Sequence, residues 1–247
     1  MTGLGTVINV FTILGGGTVG LLVGGKLPER TGEIAMQAVG GVTLVLGLQM
    51  ALGVQDGPQM MVVLISLVLG SVLGEWWDLE GRMNRLGQNL EARFARSNEA
   101  QSTQAAGVGE SRFVRGFMAA SLLFLVGPMA VLGALQDGLQ GDATILIMKS
   151  TLDGIASVAL AAALGPGVLL SIMPIMVYQG GITVLAGTLG TLLTTSVIDA
   201  VTVCGGIMII GIAVNMWKLG NIRVGNMAPA LVVSGLITGF GAALKLW

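Results

Sequence analysis

Long apolar stretches separated by short polar clusters run the whole length of the chain. A helix needs roughly 20 residues to cross the hydrocarbon core of a bilayer. Eight stretches reach about that length: 4–25, 34–53, 60–77, 113–135, 143–164, 168–190, 197–217 and 227–244. The pattern predicts an all-α polytopic membrane protein of about eight transmembrane helices, with no sizeable water-soluble domain. Lys149 and Asp153 interrupt the fifth stretch, and glycines lower helix propensity in the eighth. No basic residues precede the first stretch, and its apolar run is too long for a cleavable signal, so it reads as the first span.

The connections divide by charge. Lys26 and Arg30 follow span one, Arg82, Arg85, Arg93, Arg96 and Arg112 follow span three, and Lys218 and Arg223 follow span seven. The connections after spans two, four and six (55–59, 136–142 and 191–196) hold no Lys or Arg. Basic loops stay in the cytoplasm, so the amino terminus is expected outside, the Arg-rich segment 78–112 inside and the carboxyl terminus outside. Lys245 is the one mild exception. Trp76, Trp77 and Trp217 fall at the same, inner interface, where aromatic belts form.

The one long connection has two parts. In 78–96, Leu79, Met83, Leu86, Leu90 and Phe94 recur at helical spacing with Arg82, Arg85, Glu91 and Arg93 off that stripe. This predicts an amphipathic helix continuing span three along the membrane surface. Residues 97–111 are small and polar without hydrophobic period, a flexible linker by composition.

Shifted by 165 positions, the first third of the chain meets the last third without a gap. Gly15-Gly16 and Thr18-Val19 meet Gly180-Gly181 and Thr183-Val184, Gly25 meets Gly190, and Gly40-Gly41 meet Gly205-Gly206. Gly70 and Gly74 meet Gly235 and Gly239. Spans one to three therefore resemble spans six to eight. Their equivalents lie five spans apart, an odd number, so the two triplets run in opposite directions. The expected organisation is 3+2+3: a first membrane repeat over 1–77, the cytoplasmic segment 78–112, two central helices over 113–165 and a second repeat over 166–247. Inverted repeats are common in secondary transporters and some channels, with the site near the midplane between the halves. The glycine runs inside spans one and six point either to close helix packing or to a helix that unwinds around a ligand.

Composition narrows the chemistry. The chain has 247 residues, 53% of them hydrophobic and only 10% charged. A net charge of −1 supplies no basic excess for nucleic acid. Histidine is absent, and Cys204 is the single cysteine, so neither a histidine base nor a cysteine metal site is available and no cofactor is implied. The lipid bilayer is the expected surrounding. The glycine-lined faces also suit packing between protomers, so a homo-oligomer is compatible with the sequence.

Charges inside a span mark candidate sites, because burying one in a bilayer costs about 2.5–3.5 kcal/mol on insertion scales. Lys149 and Asp153 are four apart and share a helix face, where Asp153 can carry a proton or cation with Lys149 as counter-ion, or the two can form a structural pair. Ser150 and Ser157 lie near that face. Asp137 and Asp142, in a glycine-rich outer loop, suggest either an acidic vestibule or turn chemistry. Tyr178 and Gln179 follow Pro174 in span six, and Asn9 and Asn215 are further polar groups at membrane depth.

Four segments carry a family resemblance: Gly24-Gly25-Lys26-Leu27-Pro28-Glu29-Arg30, Gly133-Ala134-Leu135-Gln136-Asp137-Gly138, Lys149-Ser150-x-Leu152-Asp153-Gly154 and Tyr178-Gln179-Gly180. Through them the chain resembles, over essentially its whole length, the YqgA/YdfK-type family of bacterial inner-membrane proteins, a domain of unknown function. The resemblance implies an inner-membrane location and suggests a sodium channel or pump. It assigns no catalytic or binding residue. The residues themselves favour a channel or secondary transporter for a small ion such as Na+ or H+, or for a polar solute. A membrane scaffold or sensor acting through 78–112 is the alternative. An intramembrane enzyme is disfavoured, because Lys149 and Ser150 are sequence neighbours that point in different directions, and ATP-driven pumping is disfavoured, because no phosphate-binding glycine loop is present.

Overall fold

A computed structural model describes residues 2–24, 29–53, 57–85, 88–89, 112–125, 127–190 and 192–243. The predicted linker 97–111 and residues 90–96 of the predicted surface helix lie outside them. The chain forms α1 (Leu4–Gly24), α2 (Glu29–Ala51), α3 (Gly57–Trp76), α4 (Arg112–Leu125), α5 (Pro128–Gln140) and α6 (Thr144–Leu164). It continues with α7 (Ile172–Val184), α8 (Thr195–Met216) and α9 (Pro229–Ala243). Short 3-10 turns, Pro166–Ser171 and Val224–Met227, lead into α7 and α9, and no strand occurs among the described residues. The all-α membrane fold is as the hydropathy pattern predicts. Among the described residues, six helical segments are long and apolar enough to cross a membrane, or up to seven with the bent pair α4–α5 counted as one. In α2 the apolar part is the shorter Met36–Ala51.

The outer faces are apolar. Phe11, Leu22, Met61, Leu64, Val72, Val177 and Val184 are all more than half exposed. Lipid solvates such side chains without penalty, so the burial pattern is that of a bundle whose surround is hydrocarbon. The central helix is α8, whose Val203, Cys204, Met208, Ile209 and Ala213 are enclosed on all sides.

Helix pairs meet where small residues remove the Cβ. On α1, Gly16, Gly20 and Gly24 recur every fourth residue and face α6, where a Cβ would strike Gly154 O, Val158 O and Ala162 in turn. The two helices run parallel, backbone against backbone. Gly16 and Gly17 of the glycine run thus serve close packing, and α1 passes through the run unbroken.

Helices related by the 165-residue shift also pack on each other. Gly40 of α2 faces Trp217 and Gly47 faces Ile210 of α8, an antiparallel pairing. Gly70 and Gly74 of α3 face Ala230 and Asn226, again antiparallel. Asn9 of α1 meets Gln179 while Gly17 meets Leu169, the same sense for α1 and the α7 segment. The glycines themselves are not used alike, since Gly180 and Gly181 face open space where Gly16 is in tight contact.

Three details differ from the sequence expectation. The span predicted over 113–135 is two helices bent by 60°. Gly127 takes φ 139°, which side-chain-bearing residues rarely adopt, and Pro128 opens α5 where its missing N–H costs nothing. Of the two alternatives for span six, the helix is continuous through Gly180 and Gly181; the irregular stretch is the 3-10 turn Pro166–Ser171, and Pro174 fits the first turn of α7 without breaking it. Finally, the surface helix does not run on from α3. Trp77 and Asp78 form a turn, with Asp78 at φ 48°, before residues 79–85 resume as helix.

Candidate functional site: a buried polar cluster

Asp153 is residue ten of the 21 in α6, close to the middle of the helix. Lys149, one turn earlier, forms an ion pair with it, and both are more than nine-tenths buried. The close approach of α1 brings a second helix to the pair. Asn9 lies on the same side of α1 as the glycine stripe, and its Nδ2 donates to Asp153 Oδ2 at 3.1 Å and to Gln179 Oε1 of α7 at 3.3 Å. Ser157 Oγ donates to Gly154 O at 2.7 Å and to Ile13 O at 3.2 Å, tying α6 to α1 just beyond the cluster. Lys149 Nζ lies 6.0 Å from the centre of the Phe124 ring, near the end of α4. This is cation–π distance.

Two polar atoms of this cluster are buried with no partner: Asn9 Oδ1 and Gln179 Nε2. The carboxylate of Asp153 fixes the Asn9 amide, because only the NH2 end can face an acceptor. The carbonyl end must then point away, and Gln179 must offer its own oxygen to Asn9. One acceptor and one donor are left inside the bundle. Three further buried hydroxyls lack partners on the same helices: Thr6 three residues before Asn9, Thr183 one turn beyond Gln179 and Ser121 one turn before Phe124. Most buried polar groups in proteins are hydrogen-bonded. The unsatisfied amide atoms of Asn9 and Gln179 beside a buried carboxylate are what a small polar ligand or ion could complete.

The other sequence candidates have different roles. Ser150 donates to Leu146 O at 2.6 Å within its own helix. Tyr178 packs half-buried against the apolar cluster that includes Val131, Leu135 and Ile182 and makes no hydrogen bond to Asp153 or Asn9. Asn215 is remote: its amide holds Ile222 N at 2.8 Å and Ile222 O at 2.7 Å, closing the loop after α8. Asp142 accepts from Thr144 N and Oγ1 and from Gln136 Nε2, at the start of α6. The Thr144 hydroxyl, and then its N–H, hold the Asp142 carboxyl below the usual carboxylate range.

Asp137 is fully buried on α5, and its two oxygens accept Gly3 N at 3.2 Å and Gly5 N at 3.1 Å. It therefore satisfies the first N–H groups of α1 and favours the positive end of that helix. Replacing Asp137 by alanine leaves two buried donors unpaired and should destabilise the protein by about 3 kcal/mol. A chemical-denaturation midpoint measured in detergent checks this, and an unchanged midpoint would contradict the assignment.

At the basic end, Arg112 donates to Ala163 O at 2.9 and 2.7 Å and so caps α6. Glu75 pairs with Arg223, Asn226 Nδ2 donates to Glu75 at 2.7 Å, and Asn226 Oδ1 accepts Glu80 N at 2.7 Å. These contacts fix the first turn of 79–85 against the start of α9. Sequence reasoning missed this latch, Phe124 and the hydroxyls of Thr6, Ser121 and Thr183. The four-residue glycine spacing on α1 was the signal that could have placed Asn9 opposite Asp153.

The comparison with protein families decides the relationship. The family model described as "Protein of unknown function (DUF554)" matches residues 4–238. The chain belongs to this family. The DUF554 relatives include the "Uncharacterized membrane protein YdfK" of Bacillus subtilis (strain 168), 27% identical over 234 residues and 94% of each chain. The "Uncharacterized protein YqgA" of Escherichia coli (strain K12) is 26% identical over 232 residues, again 94% of each. The YqgA/YdfK-type resemblance in the sequence is thereby shown, and no solved structure matches this DUF554 chain.

Proposed function

We propose that this protein is a channel or secondary transporter for a small ion or polar solute, with Na+ and H+ the first ions to test, and that the cluster of Lys149, Asp153, Asn9 and Gln179 is its central site. The observation that carries the reading is a buried ion pair in the middle of a membrane helix, flanked by amide atoms without partners. Charges at that depth are rare and mark ion or proton pathways. The antiparallel packing of α1, α2 and α3 on their counterparts supports an inverted repeat with this cluster beside its seam. In this reading the bacterial inner membrane holds the protein with its termini outside and 78–112 in the cytoplasm. No chemical step of its own is assigned to the chain. Ser150, the hydroxyl nearest Lys149 in sequence, is turned to its own helix backbone.

The test is flux into liposomes holding the purified protein, under sodium, potassium and proton gradients. Wild type should exceed empty liposomes by at least tenfold, and Asp153→Asn should return flux to the empty level. If wild-type liposomes stay as tight as empty ones for all three ions, ion conduction fails. A scaffold reading rests on the Glu75–Arg223–Asn226–Glu80 latch, which gives the cytoplasmic segment a fixed base. It predicts that deleting 86–111 abolishes function in cells while Asp153→Asn does not.

A further inference from the structure

A cavity of about 530 Å³ opens at the basic end of the bundle and takes no part in the cluster around Asp153. Met36 of α2, Met118, Ala119 and Leu122 of α4, Leu164 of α6, and Ile212 and Met216 of α8 give it apolar walls. Arg115, Lys218 and Glu80 line it as well. Ligand pockets commonly have this makeup, a mostly apolar lining of about 300–1,000 Å³ with a few placed polar groups.

The charged groups are not equivalent. Glu80 is engaged, its Oε2 accepting Gly225 N at 3.0 Å. Asn215, also in the lining, spends its amide on Ile222. Arg115 is exposed. Lys218 has one long ion pair, 3.5 Å to Glu33, with both side chains more than half exposed. Exposed pairs of this kind contribute little, so the ammonium is free to turn to a stronger partner.

The backbone at Lys218 adds an independent observation. Its φ is 58°, the left-handed conformation that closes a helix and that glycine adopts without strain. A lysine there costs about 1 kcal/mol relative to glycine. The strain is offset if the amine is needed where that turn places it, in the lining of the cavity.

We propose that this cavity binds an amphiphilic anion, its acidic group held by Arg115 and Lys218 and its apolar body set against Met118, Leu122, Ile212 and Met216. A soluble medium-chain carboxylate and an anionic phospholipid share this chemistry. Two cations against one engaged carboxylate set the sign of the preferred head group, and the methionine, leucine and isoleucine walls set the preference for an apolar body. The site stands apart from the buried cluster, so it can hold or fail whatever the flux measurement shows.

The test is equilibrium binding to the purified protein in a neutral detergent, followed calorimetrically. Hexanoate should bind at least tenfold more tightly than hexylammonium. The double variant Arg115→Gln/Lys218→Gly should weaken hexanoate at least tenfold, and Lys218→Gly relieves rather than adds backbone strain. Ala119→Phe, which fills the cavity and keeps both cations, should weaken it by a similar factor. Arg115→Lys should retain binding. Titration with dihexanoyl phosphatidylglycerol separates the two sources: tighter binding than hexanoate identifies a lipid, weaker binding a soluble acid. Equal affinity for hexanoate and hexylammonium would overturn the proposal, as would undiminished binding to the folded double variant.

Discussion

Replacing Lys149 by methionine should destabilise the protein by about 3–5 kcal/mol, because it leaves the Asp153 carboxylate buried without its counter-charge. The remaining contact, from Asn9 Nδ2, supplies one hydrogen bond and no charge. Removing both charges together, in Lys149→Met/Asp153→Leu, should recover most of the loss, since a buried pair and an apolar pair of similar volume differ little in stability. Denaturation midpoints of the two single variants and the double variant measure the coupling. Single variants as stable as wild type would mean that the pair is solvated, and the enclosed site described here would then be wrong. The double variant also separates stability from transport: it should fold and conduct nothing.

The second large effect concerns the seam between α1 and α6. A leucine at Gly20 would drive its Cβ into Val158 O and to 3.0 Å from Ala161 Cβ. The helices would have to separate, at a cost of about 3 kcal/mol. Separation also draws Asn9 away from Asp153, so any flux should fall with the stability. Gly15, five residues earlier on the same helix, has nothing within 4 Å of a Cβ. Gly15→Leu should therefore leave the denaturation midpoint near that of wild type. Equal effects at the two positions would show that the stripe does not hold the helices together.

The sequence made the membrane helices readable because each apolar run is bounded by polar clusters or prolines. The predicted stretch 197–217 corresponds closely to α8, Thr195–Met216, which begins at a threonine cap whose hydroxyl accepts from Val197 N. The predicted start at 34 is late by five residues, since α2 opens at Glu29 with a polar first turn that hydropathy passes over. Lys149 and Asp153 were legible as a pair because helical spacing alone puts them on one face. Gln179 and Asn9 were legible only as polar groups in apolar spans, and their meeting across two helices depends on the glycine contacts. Asp137 was misleading for a physical reason. A carboxylate among glycines looks like a turn or vestibule, and only the folded chain shows that it reaches the start of a helix more than 130 residues away. Asn215 was equally ambiguous, because an amide near the end of a span serves a loop backbone as well as a ligand.

The one native thiol, Cys204, sits fully enclosed on the central helix. A water-soluble maleimide has no route to it in the folded protein. The unmodified chain is thus silent to such reagents, and any cysteine added at a surface position becomes the sole reporter. Two such positions, one in the connection after α2 and one in the loop after α8, would settle sidedness by labelling sealed cells before and after lysis, with no background mutation needed.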